Sequence, residues 1–209
     1  MKIKESLTEF LIILLATIIL AITVSAKTRD LIFYASVSFL IIILANIFVK
    51  KIVGYFLEIK VKTKFWSWYQ FGFRKTSHFK SAIPMAWLPL LLSLLTRGIF
   101  WWLAILEFDV EAKTERVSKR HGLYRFTEVT EWHIAWIAAW GIIINLVLAV
   151  IAYFAGFELF SKLSVFYAVW SVVPLSSLDG SKIFFASRAL WITITTIVAI
   201  FFIWGLAIV

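Results

Sequence analysis

The sequence predicts a polytopic α-helical membrane protein: about six membrane segments, one of them spanning or re-entrant, with a small β-sheet inserted at the membrane surface. Three observations predict this class. Apolar residues make up 62% of the 209 residues and charged residues 16%, against roughly 45–50% and about 25% in soluble domains. Several apolar runs approach the roughly 20 residues that a helix needs to cross a bilayer. Two polar stretches between those runs alternate charged and apolar residues, the pattern of a strand with one wet face.

Phe10–Ala26 is the first apolar run. Lys2 and Lys4 ahead of it and Val24-Ser25-Ala26 at its end fit a signal peptide, whereas Glu5, Glu9 and the length of the run favour an uncleaved span. Leu31–Val49 is the second run. Ala82–Leu106 is the third, and it contains Pro84, Pro89, Arg97 and Gly98, so it either spans or re-enters. Trp132–Phe157 is the fourth, with Thr130 as its N-cap and Glu131 in its first turn. Leu163–Leu178 is short and ends in Ser176-Ser177-Leu178-Asp179-Gly180, and Ala189–Val209 is the last. The chain reads as one membrane domain (1–209), in which 1–30 add an N-terminal span, 31–190 form a core and 189–209 supply a C-terminal span.

The stretch Lys50–Lys80 holds eight basic residues and one acid, Glu58, which places it and the N-terminus in the cytoplasm by the positive-inside rule. Glu107–Glu131 holds five basic and six acidic residues, and its side depends on whether 82–106 crosses. In Glu58–Lys64 the charges alternate with Ile59, Val61 and Thr63; in Glu107–Lys113 they alternate with Phe108, Val110 and Ala112. One strand is basic on its polar face and the other mostly acidic, so the two attract when paired. Lys119-Arg120-His121-Gly122 reads as a turn and Leu123–Phe126 as a return strand.

The net charge of +9 matches anionic lipid headgroups and a topology signal rather than nucleic acid in so apolar a chain. Trp66, Trp68, Trp101, Trp102, Trp132 and Trp191 fall near the ends of runs, as an interfacial belt does. Cysteine is absent, which removes thiolate metal sites and cysteine nucleophiles, and His78, His121 and His133 share no helix face. Polar residues at membrane depth are costly and mark function or interhelical bonding. Here they are Asn46, Arg97, Asn145 and Asp179. Gly141 and Asn145 share a helix face, as do Ala135 and Ala139, and such spacings permit close helix approach. For a buried Asp179, the candidate partners are Lys182, Arg97 and Arg188.

The stretch Val173-Pro174-Leu175-Ser176-Ser177-Leu178-Asp179-Gly180-Ser181-Lys182 resembles the L-D-G motif of the site-2 protease-like membrane zinc metallopeptidases. In that family an N-x-x-P element precedes it. Pro174 matches, and Ser171 stands where the asparagine is expected. Gly141-Ile142-Ile143-Ile144-Asn145 resembles the family's G-P-x-x-N element, with Ile142 in place of proline. The resemblance covers roughly residues 31–190 and implies that Asp179 stands at a zinc-ligand position. The family's H-E-x-x-H, two histidines on one helix face with a glutamate base, does not occur. The register that suits the second span puts Ala45, Asn46 and Val49 at its three chemical positions. None of these supplies a ligand or base, and a catalytic zinc needs three protein ligands plus water.

The resemblance therefore implies a catalytically inactive relative, a pseudoprotease with no expected catalytic residue, metal or cofactor. It would bind or regulate a membrane protein in the bilayer, through that partner's transmembrane helix, without nucleic acid. Its cleft residues would be Asn46, Asn145, Ser171, Pro174, Asp179, Gly180 and Lys182. The location implied is an integral protein of a prokaryotic plasma membrane. Two alternatives stand beside this reading: an active intramembrane zinc metalloprotease with a non-standard site, and a small transporter or channel whose path is lined by Arg97, Asn145 and Asp179.

Overall fold

The computed structural model describes residues 2–70, 78–113 and 129–207. Helix α1 (Lys2–Ser25) and helix α2 (Ile32–Phe56) form an antiparallel hairpin, joined through a 3-10 turn at Arg29–Leu31. Ala16, Leu20 and Val24 of α1 pack against Phe39, Ile42 and Ile43 of α2. Lys51 reaches Glu9 at 2.6 Å and Lys60 reaches Glu5 at 2.7 Å. The first apolar run is thus built into the bundle by both its core and its charges.

Strand β1 (Ile59–Phe65) leaves α2 and pairs antiparallel with β4 (Leu106–Ala112). Lys60, Lys62 and Lys64 stand opposite Glu111, Asp109 and Glu107, so the basic-on-acidic pairing expected from the alternation is present. Lys62 bonds Glu111 at 2.7 Å and Lys64 bonds Asp109 at 2.7 Å. Ile59, Val61 and Phe108 turn inward. Because β1 and β4 share one sheet, the start of the 107–131 stretch lies at the same end of the bundle as the end of α2. The turn at 119–122 and the return strand at 123–126 lie outside the described residues.

Between these strands the chain makes an excursion. Strands β2 (Ser67–Gln70) and β3 (His78–Pro84) pair antiparallel, and helix α3 (Leu88–Leu95) follows with Pro89 in its first turn. Eight helical residues rise about 12 Å, far short of a roughly 30 Å hydrocarbon core. Arg97 (φ 53°) and Gly98 (φ 76°) then turn the chain left-handed. A Cβ on Gly98 would stand 3.1 Å from the Lys27 backbone nitrogen, so this turn sits against the α1–α2 connection, at the opposite end from β4. Residues 82–106 therefore hold one short helix and a return to β4, with no helix long enough to span a membrane. Their non-helical return is inside the protein, where Leu103, Ala104 and Ile105 are buried and the Trp66 backbone N–H donates to the Ile105 carbonyl at 2.8 Å.

Helix α4 (Glu131–Phe154) starts at Thr130, whose hydroxyl accepts from the His133 N–H while the His133 ring returns a bond to Thr130. Helix α5 (Glu158–Val172) runs back along α4. An extended turn leads to α6 (Asp179–Ala186), and α7 (Arg188–Ala207) follows. Among the described residues, α1, α2, α4 and α7 are long and apolar enough to cross a membrane. The third apolar run holds only α3 and the fifth is a 15-residue helix stopped by Pro174, so four helices rather than six segments are of membrane-spanning length among the described residues.

The tryptophans also depart from a simple belt. Trp132 is about half exposed. Trp66 is fully buried and stacks on Trp68 at 6.2 Å and Trp102 at 5.9 Å, because the excursion folds back beneath the bundle. Trp191 donates to the Val172 carbonyl at 3.0 Å and closes the end of α5.

Candidate functional site

A polar core lies where α2, α4, α5 and α6 meet β4. On α2, Asn46 and Lys50 are one turn apart and both buried, while Ala45 and Val49 on the adjoining face are half-buried. The face turned toward α6 is thus 46–50, one residue on from the 45–49 register of the sequence. Asn46 Nδ2 donates to the Gly141 carbonyl at 2.7 Å. Lys50 Nζ reaches Asp179 Oδ2 at 2.5 Å, with both side chains under 10% exposed. Ile47, which follows Asn46, is buried and aliphatic.

Two glycines make this geometry possible. A Cβ on Gly141 would collide with Lys50 Cε and come within 3.2 Å of Asn46 Nδ2, so the lysine stem crosses α4 at the one residue without a side chain. A Cβ on Gly180 would collide with the carbonyl of Val172. That glycine lets α6 start directly against the end of α5, which aims Asp179 back at α2. Asp179 occupies the first turn of α6, where the helix dipole favours a carboxylate. Ser181 Oγ donates to the Ser176 and Leu178 carbonyls at 2.6 and 2.7 Å and holds the turn. Ser176 itself has φ 48°.

Lys182 does not pair with Asp179. Its ammonium donates to the Phe108 carbonyl of β4 and stands 3.6 Å from the Phe108 ring centroid, with Lys50 5.0 Å from the same ring. Phe108 thus faces two cations. Burial pushes the Lys182 ammonium down to about 8, against the attraction of Asp179. The neighbouring Glu107 is buried although it lies on the expected wet face of β4. Ser177 Oγ donates to it, Ser67 Oγ bonds it at 3.4 Å, and Lys64 approaches at 3.2 Å.

Of the remaining expected residues, Ser171 donates to its own helix at the Tyr167 carbonyl, 2.9 Å away, and Pro174 ends α5. Asn145 is fully buried, and its amide oxygen and nitrogen both lack a hydrogen-bond partner among the described residues. Its backbone carbonyl accepts from Ser164 Oγ at 2.7 Å. Arg97 is exposed at the far end of the excursion and takes no part. His133 serves the α4 cap, the backbone of His78 opens β3, and His121 lies outside the described residues.

Sequence reasoning missed Lys50 and Glu107. Lys50 looked like the interfacial end of a span. The available signal was its i, i+4 spacing from Asn46, which gives both one face.

Zinc takes thiolate, imidazole and carboxylate donors. Around Asp179 the structure offers one carboxylate, one amide and a lysine ammonium. Among the described residues no three histidine, cysteine, aspartate or glutamate side chains gather. This donor set does not fit a catalytic zinc. No protein-family model, curated protein or solved structure matches the chain.

Proposed function

We propose that this chain is a site-2 protease-like membrane protein, with residues 31–190 as its core, that has exchanged metal chemistry for a fixed internal ion pair. It binds or regulates a membrane protein through that partner's transmembrane helix and does not cut it. One observation carries the reading: Asn46 and Lys50, at the i, i+4 spacing of the family's histidine pair, face the aspartate of the L-D-G sequence, and the lysine ammonium sits 2.5 Å from that carboxylate. A covalently tethered cation there offers no open coordination position and no polarised water. In this reading there are about six membrane segments, with 82–106 re-entrant. The N-terminus and 50–80 face the cytoplasm of a prokaryotic cell.

The test is metal content of the purified full chain beside Asp179→Ala, by mass spectrometry. Near-zero zinc in both, with a membrane partner that co-purifies uncleaved, supports the reading. About one zinc per chain, lost in the variant, overturns it.

A further inference from the structure

Strand β1 pairs along one edge with β4. Its even-numbered positions bond in that direction. The Glu58 carbonyl accepts from the Lys113 N–H at 3.2 Å, and the Trp66 N–H donates to the Ile105 carbonyl at 2.8 Å. Antiparallel residues alternate between the two edges, so Ile59, Val61 and Thr63 turn their backbone groups away from β4. Thr63 bears this out, because its N–H donates to Glu9 Oε1 of α1 at 3.3 Å. A Cβ on Gly54 would stand 3.1 Å from the Ile59 carbonyl oxygen, so the end of α2 covers that residue. In between, the Val61 N–H and C=O and the Thr63 C=O have no hydrogen-bond partner among the described residues.

A cavity of about 840 Å³ lies along this edge, between β1 and the start of α1. Six consecutive residues, Ile59 to Lys64, line it, although their side chains alternate between the core face and the lysine face. Only the edge of a strand presents consecutive residues to one space. Glu5, Thr8 and Glu9 of α1 form the opposite wall. A strand with a rise of about 3.4 Å, a neighbour spacing of about 4.8 Å and a sheet spacing of about 10 Å occupies roughly 160 Å³ per residue. The 840 Å³ therefore suits about five extended residues.

Charge does not select the occupant. Lys51, Lys60, Lys62 and Lys64 already pair with Glu9, Glu5, Glu111 and Asp109. The unsatisfied groups are backbone: one donor and two acceptors on an open edge. Glu9 shows what fits there, since its carboxylate takes from Thr63 the bond that a guest carbonyl would take.

We infer that an extended segment of a partner protein adds to β1 along this edge as a further strand, bonded through Val61 and the Thr63 carbonyl. Main-chain bonds supply affinity and alternate side chains supply selectivity. The guest's inward side chains extend the Ile59–Val61 face and its outward ones extend the lysine face, so it alternates apolar and polar residues. Leu11, Leu15, Ile18 and Ile22 of α1 are exposed and continue from the cavity wall. A partner whose apolar helix lies on that stripe brings its flanking segment to the edge. The inference adds a second contact to the partner-binding reading and does not depend on the Lys50–Asp179 pair.

Amide hydrogen exchange of the full chain in a non-ionic detergent tests it, with acetylated and amidated Thr-Val-Thr-Val-Thr-Val-Thr as the probe. The Val61 amide is expected to lose its fast exchange when peptide is added, while the Lys62 amide, which faces β4, is unchanged. N-methylation of alternate peptide amides on the bonding edge is expected to weaken binding about fivefold per bond lost, and on the opposite edge to leave it unchanged. Val61→Pro removes the edge donor and no bond to β4, and is expected to weaken the probe about fivefold. The methylated peptides test the same bonds with the protein unaltered. Unchanged exchange at Val61, or equal binding of the parent and both methylated forms, overturns the inference.

Discussion

Lys50 and Asp179 are 129 residues apart in the chain and 2.5 Å apart in the fold. Removing two charges from water costs several kcal/mol per ion, and their attraction offsets that cost only when the geometry is close. The pair is thus weak support for net stability, yet breaking it is expensive. Lys50→Ala leaves the Asp179 carboxylate buried without its partner and is expected to lose about 3–5 kcal/mol. Lys50→Met combined with Asp179→Leu is expected to recover most of that loss. Unfolding of the two variants in detergent micelles checks this, and a single variant as stable as wild type would show the pair to be energetically idle.

Gly141 and Gly180 are expected to respond differently to substitution. At Gly141 the colliding atom is a flexible lysine carbon, so Gly141→Ala pushes Lys50 aside and weakens the ion pair, for about 1–3 kcal/mol. At Gly180 the colliding atoms are the backbone of Val172, which has nowhere to move without separating α6 from α5. Gly180→Ala is expected to be the more damaging of the two. In the Lys50→Met background Gly141→Ala should lose much of its effect while Gly180→Ala keeps it. Equal effects in both backgrounds would rule out the lysine as the obstacle at Gly141.

Legibility followed the range of the interactions. The four membrane-length helices, the Thr130 cap and the β1–β4 pairing were readable, because each depends on local period or on charge complementarity between two short strands. The excursion at 82–106 was legible as a break, since prolines and a left-handed Arg97-Gly98 turn are local. Its burial was not, and so Trp66 read as an interfacial residue. Asp179 was legible as a carboxylate in need of a partner, but Arg97, Arg188 and Lys182 all lie closer to it in sequence than Lys50. Only the crossing of α2 over Gly141 decides that choice. Glu107 was misjudged for a related reason: alternation assigns it to the wet face, and the turn at 176–178, far along the chain, covers it.

The inward register of α2 can be tested by building on it. Histidines placed at 46 and 50, with glutamate at 47, would put two imidazoles one turn apart on the face that meets Asp179. The triple variant Asn46→His, Ile47→Glu, Lys50→His is expected to acquire about one zinc per chain, lost again on adding Asp179→Ala. The same three residue types placed at 45, 46 and 49 point partly away from α6 and are expected to acquire none. Zinc in the second set and not the first would return the register to 45–49.

Lys182 gives the core an expected pH signature. Its ammonium is buried beside the Phe108 carbonyl and ring, and burial lowers it from 10.5 to about 8. Below about pH 8 both folded and unfolded chains hold the proton, and the folded state carries the full cost of the buried charge. Between about 8 and 10.5 the unfolded chain still holds a proton that the folded chain has released. The unfolded state then binds more protons, so stability rises with pH across that window. Lys62 does not obscure the effect. Its hydrogen bond to Glu111 and attraction to Glu5 hold it above 10.5, so its contribution is lost only at higher pH. Unfolding midpoints at about pH 7.5 and 9.5 are expected to differ, with the alkaline value higher. In Lys182→Met the difference should largely vanish, because the titrating group is gone while its methylene stem still covers Phe108. A midpoint that falls from pH 7.5 to 9.5 in wild type would mean that Lys182 stays charged in the fold.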